Sequence, residues 1–210
     1  MVGAASGKDV ATRCNPVRPA AGGLRVNWSS AERFPDDTVG EADIGETDVD
    51  WRRLTMAHVK EGGHLYLRYE LEKAANLAAY PAFYNVFVDV DCKRSTGYTG
   101  GGAQLSVGAE FLIQGPAVFA FTGATQTEFS WVPVGAGQAD ASRGDRDVTV
   151  EIPLALLGSP RHFQFVLHAD NGLSGHTADY YPDGAERGAS GDFFGYRVDG
   201  AKVAGGGDAP

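Results

Sequence analysis

The chain has 210 residues, 43% of them hydrophobic and 10% aromatic, and a formal net charge of −9. An acidic surface repels phosphate backbones, which argues against nucleic acid as a partner. No apolar run approaches the roughly 18–20 residues that span a bilayer, so no membrane partner is expected. The 29 glycines and 10 prolines disfavour long helices and suit many short strands joined by tight turns.

In chain order, residues 1–22 lack periodicity and read as an N-terminal arm. Residues 23–200 read as a single domain, a length common for one β-sandwich. His64–Leu71 alternates strictly, with Leu65, Leu67, Tyr69 and Leu71 on one face and His64, Tyr66, Arg68 and Glu70 on the other. Phe83–Asp91 sets Tyr84, Val86, Val88 and Val90 against Phe83, Asn85, Phe87, Asp89 and Asp91. Further strands are expected at Glu110–Gln114, Val118–Thr122, Phe129–Val134 and Asp147–Ile152. Pro153–Gly158 reads as a short helical turn, with proline at its start and glycine at its end. His162–Asp170 alternates again, Phe193–Val198 reads as a last strand, and residues 201–210 read as a flexible tail. Successive antiparallel strands with one apolar face must pack on a second such sheet. The expected fold is therefore all-β, an antiparallel, jelly-roll-like sandwich.

Two cysteines, Cys14 and Cys92, are present. A single disulfide between the arm and the loop after the Val86–Asp91 strand is expected, because an exposed polar loop is a poor place for a free thiol. Two independent thiols are the alternative. Met1-Val2-Gly3 is not followed by a basic and then an apolar stretch, so no secretory signal is read.

Five segments, in order, carry a resemblance. They are Asp48-Val-Asp50-Trp51; Val86-Phe-Val-Asp89-Val-Asp91 with Ser95-Thr96-Gly97-Tyr98; Gly108-Ala-Glu110-Phe-Leu-Ile113; Val150-Glu151-Ile-Pro153-Leu154 with Leu157-Gly158; and Ala178-Asp179-Tyr180-Tyr-Pro182. Together they resemble the family 9 carbohydrate-binding module and its wider sandwich superfamily, which includes the DOMON domains. The resemblance implies a sandwich, a secreted or periplasmic location, structural calcium and sugar binding, often beside a larger carbohydrate-active enzyme.

Asp89 and Asp91 stand two apart on one strand face, so both carboxylates point the same way. Calcium, bound through oxygen ligands, would relieve their repulsion; the alternative is that both accept backbone N–H groups of the turn. Glu110 and Asp179 are further acids of the resembling motifs that would join them at the metal. If the alternating strands share a sheet, Tyr66, Arg68, Asn85, Phe87, Gln164 and His168 form a wall of rings and planar hydrogen-bonding groups suited to a polysaccharide or oligosaccharide. Tyr98 and Trp131 are candidate rim aromatics of that wall, and Trp51 is taken as core. His168 and His176, flanking Asp170 and Asn171 with Asp179 close behind, form a weaker transition-metal candidate.

Glycan binding without catalysis is the expected function. The first alternative is a polysaccharide lyase using Tyr66, Arg68, Gln164 and His168 as base, acid and carboxylate neutraliser. The second is a haem-binding DOMON domain, which would need Met56 and a histidine as axial ligands. No Gly-x-Ser-x-Gly elbow, phosphate-binding loop or His-Glu-x-x-His is present.

Overall fold

The computed structural model describes residues 26, 28–39, 50–60, 63–72, 84–102, 104–140, 146–169 and 179–198. Twelve strands are described: β1 (Glu32–Arg33), β2 (Trp51–Val59), β3 (His64–Leu71), β4 (Asn85–Asp89), β5 (Phe111–Gln114), β6 (Ala117–Phe121), β7 (Trp131–Ala136), β8 (Gln138–Asp140), β9 (Asp147–Pro153), β10 (His162–Ala169), β11 (Asp179–Tyr181) and β12 (Phe194–Arg197). Every pairing between them is antiparallel. One sheet runs β1-β2-β3-β9-β8; the other runs β11-β10-β4-β5-β6-β7, with β12 also on β10. The chain is an all-β sandwich, as its alternation requires. No described helix is long and apolar enough to cross a membrane.

The apolar alternations meet between the sheets. Leu65, Leu67, Tyr69 and Leu71 of β3 face Val86 and Val88 of β4 and Phe163, Phe165 and Leu167 of β10 in one buried cluster that also contains Trp51. The turn after β9 is a short 3-10 helix, Leu154–Leu157, that ends on Gly158 in the left-handed conformation. It buries Leu154 and Leu157 against the core. Asp179 of β11 is itself buried and accepts the Trp51 N–H at 2.7 Å, tying the two sheets together at one end.

The sheets are also joined covalently at one side. β7 lies at the edge of one sheet and β8 at the edge of the other, and only Gly137 separates them. A Cβ at Gly137 would lie 1.7 Å from the Glu151 carbonyl oxygen. The crossing is therefore possible only because this residue has no side chain.

The outer face of the second sheet departs from a simple sandwich. Phe87 and Val166 point away from the central core, yet neither is exposed. Tyr98, Leu105, Val107, Ala109 and Ala185 come down over them and form a second apolar cluster. Backbone hydrogen bonds hold this cover in place: Tyr98 and Ala109 exchange N–H and carbonyl groups at 2.8 Å, and the Ser106 N–H donates to the Ala185 carbonyl at 2.9 Å.

Candidate functional site

The end of β4 and the loop behind it build an acidic centre. Asp89, Asp91 and Glu110 each place a carboxylate oxygen within 4.8 Å of the others. Asp89 is fully buried and accepts N–H groups from Lys93 at 3.2 Å and Gly108 at 3.3 Å. Asp91 accepts the Lys93 N–H at 2.9 Å and the Thr96 hydroxyl at 3.0 Å. Glu110 Oε2 accepts the Val90 N–H at 3.0 Å, whereas its buried Oε1 has no hydrogen-bond partner. The alternative reading of the aspartates is seen, since both accept backbone N–H groups of the turn, and their carboxylates also lie close to that of Glu110.

Burial pushes the Asp89 and Glu110 carboxyls above the ordinary carboxylate range, and the neighbouring acids add to this. Lys93 Nζ stands 4.0 Å from Asp91 on the exposed side, where such a pair contributes little. Three converging carboxylates with one buried oxygen unpartnered fit a hard, oxygen-seeking cation. Asp179 is not among them. It pairs with Ala169, five residues along β10 from Gln164, the cross-strand partner of Asp89. Its carboxylate is taken up by Trp51 instead.

The expected polar wall divides between the two sheets. Tyr66 and Arg68 sit on β3, in the five-stranded sheet. Tyr66 is nearly covered, and Arg68 pairs with Asp147 at 2.9 Å and lies 5.8 Å from the Trp28 ring centroid. Asn85, Phe87, Gln164 and His168 belong to β4 and β10 of the other sheet, so the expected single face, and with it the lyase constellation, is not assembled. The alternation was read correctly; sheet membership was not, because β3 pairs with β2 and β9 rather than with β4. Met56, the haem candidate, is packed in the central core at 1% exposure. Cys92 carries a free thiol. Cys14, Phe83, Asp170, Asn171 and His176 lie outside the described residues.

What the second sheet does assemble is a field of rings. Trp131 of β7 is half-buried and lies 6.1 Å from Phe87, 5.5 Å from Tyr98, 5.3 Å from Phe121 and 5.9 Å from Phe129, measured between centroids. Tyr98 is buried beneath this cluster rather than standing on its rim. Phe129 is 61% exposed. On the other flank His168 lies 4.5 Å from Tyr180 and 6.1 Å from Phe87. The Gln114 amide donates to Asn85 Oδ1 at 2.9 Å. Phe121, Phe129, Gln114 and Tyr180 were not singled out from the sequence. Gln114 falls opposite Asn85, a register that no single strand shows. Gln164, by contrast, lies at the other end of β10, in the wall of a separate pocket that it shares with Cys92.

Comparisons with protein-family models, with curated proteins and with solved structures return no match. The reading of this site therefore rests on its chemistry.

Proposed function

We propose that the chain is a carbohydrate-binding module that holds a glycan against the outer face of the seven-stranded sheet. The observation that carries this is the cluster of Phe121, Phe129 and Trp131, half-buried or exposed, on the same sheet as the Gln114, His168 and Tyr180 side chains. Sugar rings present apolar C–H faces that stack on aromatics, and hydroxyls that pair with amides, imidazoles and phenols. Trp131 Nε1 is buried without a hydrogen-bond partner, so the indole acts chiefly as an apolar platform. Calcium at Asp89, Asp91 and Glu110 would brace the loop that carries Tyr98, and with it the floor beneath Trp131. A module of this kind works outside the cell or in the periplasm, free or beside a larger carbohydrate-active enzyme.

An open platform gives modest affinity, because much contact energy goes into ordering the ligand; dissociation constants of about micromolar to millimolar are expected. The test is a glycan array followed by calorimetric titration of the best binder, with Phe129→Ala and Trp131→Ala as variants. Loss of binding in both, with melting of Phe129→Ala unchanged, supports the reading. No glycan binding, or release of unsaturated uronates absorbing in the ultraviolet, overturns it.

A further inference from the structure

The hairpin between β6 and β7 carries the aromatic platform. Phe121 ends β6, Trp131 begins β7, and Phe129 stands two residues before it. β7 lies at the edge of its sheet, next to β6. An edge held from one side frays easily, and a hairpin tip is ordinarily its loosest part. Here the tip is fastened. From Ala124 to Glu128 every residue is exposed except Gln126, which is half-buried. Its side-chain amide donates to the Arg94 carbonyl at 2.8 Å and to the Thr96 carbonyl at 3.1 Å. Only the NH2 end of an amide can meet two carbonyl acceptors, which fixes its orientation. The backbone adds to this: the Gln126 carbonyl accepts the Thr99 N–H at 2.8 Å and the Thr99 hydroxyl at 3.3 Å.

The segment that Gln126 grips is itself anchored. Thr96 gives its hydroxyl hydrogen to Asp91 at 3.0 Å, and Tyr98 exchanges backbone hydrogen bonds with Ala109 at 2.8 Å. Gly97, between them, lies so close to Ala109 that a Cβ there would come within 2.5 Å of its carbonyl. Tyr98 is the ring on which the platform rests, with centroids 6.0 Å from Phe121, 5.4 Å from Phe129 and 5.5 Å from Trp131. The tip also keeps its own shape. Glu128 accepts the Ala124 N–H at 2.8 Å, and Gly123 leaves room for the Phe121 ring, which a Cβ would meet at 2.6 Å. The clamp therefore joins two stiff pieces, and through them it sets where Phe129 and Trp131 stand over Tyr98.

We propose that Gln126 is the positioning residue of this platform, a role that rests on the reading of these rings as the glycan's. It touches no sugar. It holds the hairpin down before the ligand arrives, so that stacking does not also have to order the rings. The affinity of the face thus depends on a side chain at the tip of the hairpin.

Gln126→Glu keeps the size of the side chain but turns a carboxylate toward two carbonyl oxygens, which repel it. Protonation returns one donor, and the same repulsion raises the carboxyl's pKa, so the clamp should re-form by about pH 4. Parent and variant are labelled with 5-fluorotryptophan; the Trp131 resonance is the one that Trp131→Phe removes. In Gln126→Glu at about pH 7 that resonance should leave its parent position, while those of Trp28 and Trp51 stay. At about pH 4 it should return toward the position the parent has there. A resonance that never moves, or that is displaced equally at both pH values, overturns the proposal. Binding is read by affinity electrophoresis of both chains in laminarin, xylan and hydroxyethylcellulose. Gln126→Glu should bind about tenfold more weakly than the parent. Equal retardation of the two chains overturns the positioning role alone. No retardation of the parent in any of the three counts against the glycan reading, and overturns the role with it.

Discussion

The rings of Phe87 and Trp131 lie 6.1 Å apart, although β5 and β6 run between their strands. Both residues lean over the same outer face and share Tyr98 as a neighbour, at 5.6 and 5.5 Å. This joins a buried layer to a surface one: Phe87 is 4% exposed, whereas Phe129, which packs on both Tyr98 and Trp131, is 61% exposed.

That gradient separates fold from binding. Phe87→Ala removes a buried ring from a packed cluster and should cost about 3–5 kcal/mol, seen as a fall in the urea midpoint with an unchanged slope. Phe129→Ala should stay within about 0.5 kcal/mol of the parent, as exposed substitutions do. If Phe87→Ala unfolds no more readily than Phe129→Ala, the second cluster is not a structural layer.

Glu110→Gln tests the acidic centre. In the parent, excess calcium should raise the melting temperature, because a ligand that binds only the folded chain stabilises it. In Glu110→Gln that rise should vanish. With chelator present the variant should melt at least as high as the parent, since one charge that burial opposes is gone. A parent whose melt is the same in calcium and in chelator rules the centre out as a calcium site.

Gly137→Ala and Gly101→Ala form a matched pair. The first would drive a Cβ into the Glu151 carbonyl at 1.7 Å; the second meets nothing within 4 Å. Gly137→Ala should lose several kcal/mol, or fail to fold, where Gly101→Ala melts like the parent. Differential scanning calorimetry of the two reads this directly.

Alkaline pH should open the fold late and cooperatively. Tyr196 is pushed up to about 12 by burial, and Tyr69 and Tyr181 are pushed up further by the same cause. Tyr181 also donates its hydroxyl hydrogen to the Pro35 carbonyl. A folded value above the unfolded one gives stability that is fully present below about pH 10, the unfolded value, and that is lost as pH rises through the folded value. Tyrosinate absorbance at 295 nm should show these rings titrating only as circular dichroism reports unfolding. Full ionisation near pH 10 with the fold intact would contradict their burial.

The sequence by itself determined the all-β class and eight of the twelve described strands, because a period of two is imposed by the backbone and survives any arrangement of the sheets; β1, β2, β8 and β11 were not among the expected strands. His64–Leu71 was delimited to the residue, and Leu65, Leu67, Tyr69 and Leu71 do face inward. It also brought Asp89 and Asp91 together, because both carboxylates lie within one strand and its turn. Only the tertiary structure decided which strands share a sheet. That choice placed Tyr66 and Arg68 on one outer face and Phe87 and His168 on the other, and it drew Glu110 into the acidic centre while leaving Asp179 with Trp51. It also decided that Phe87 and Tyr98, which a two-layer sandwich would expose, are covered. Pairing between strands distant in sequence, and loops that fold back over a sheet, depend on contacts that no local periodicity encodes.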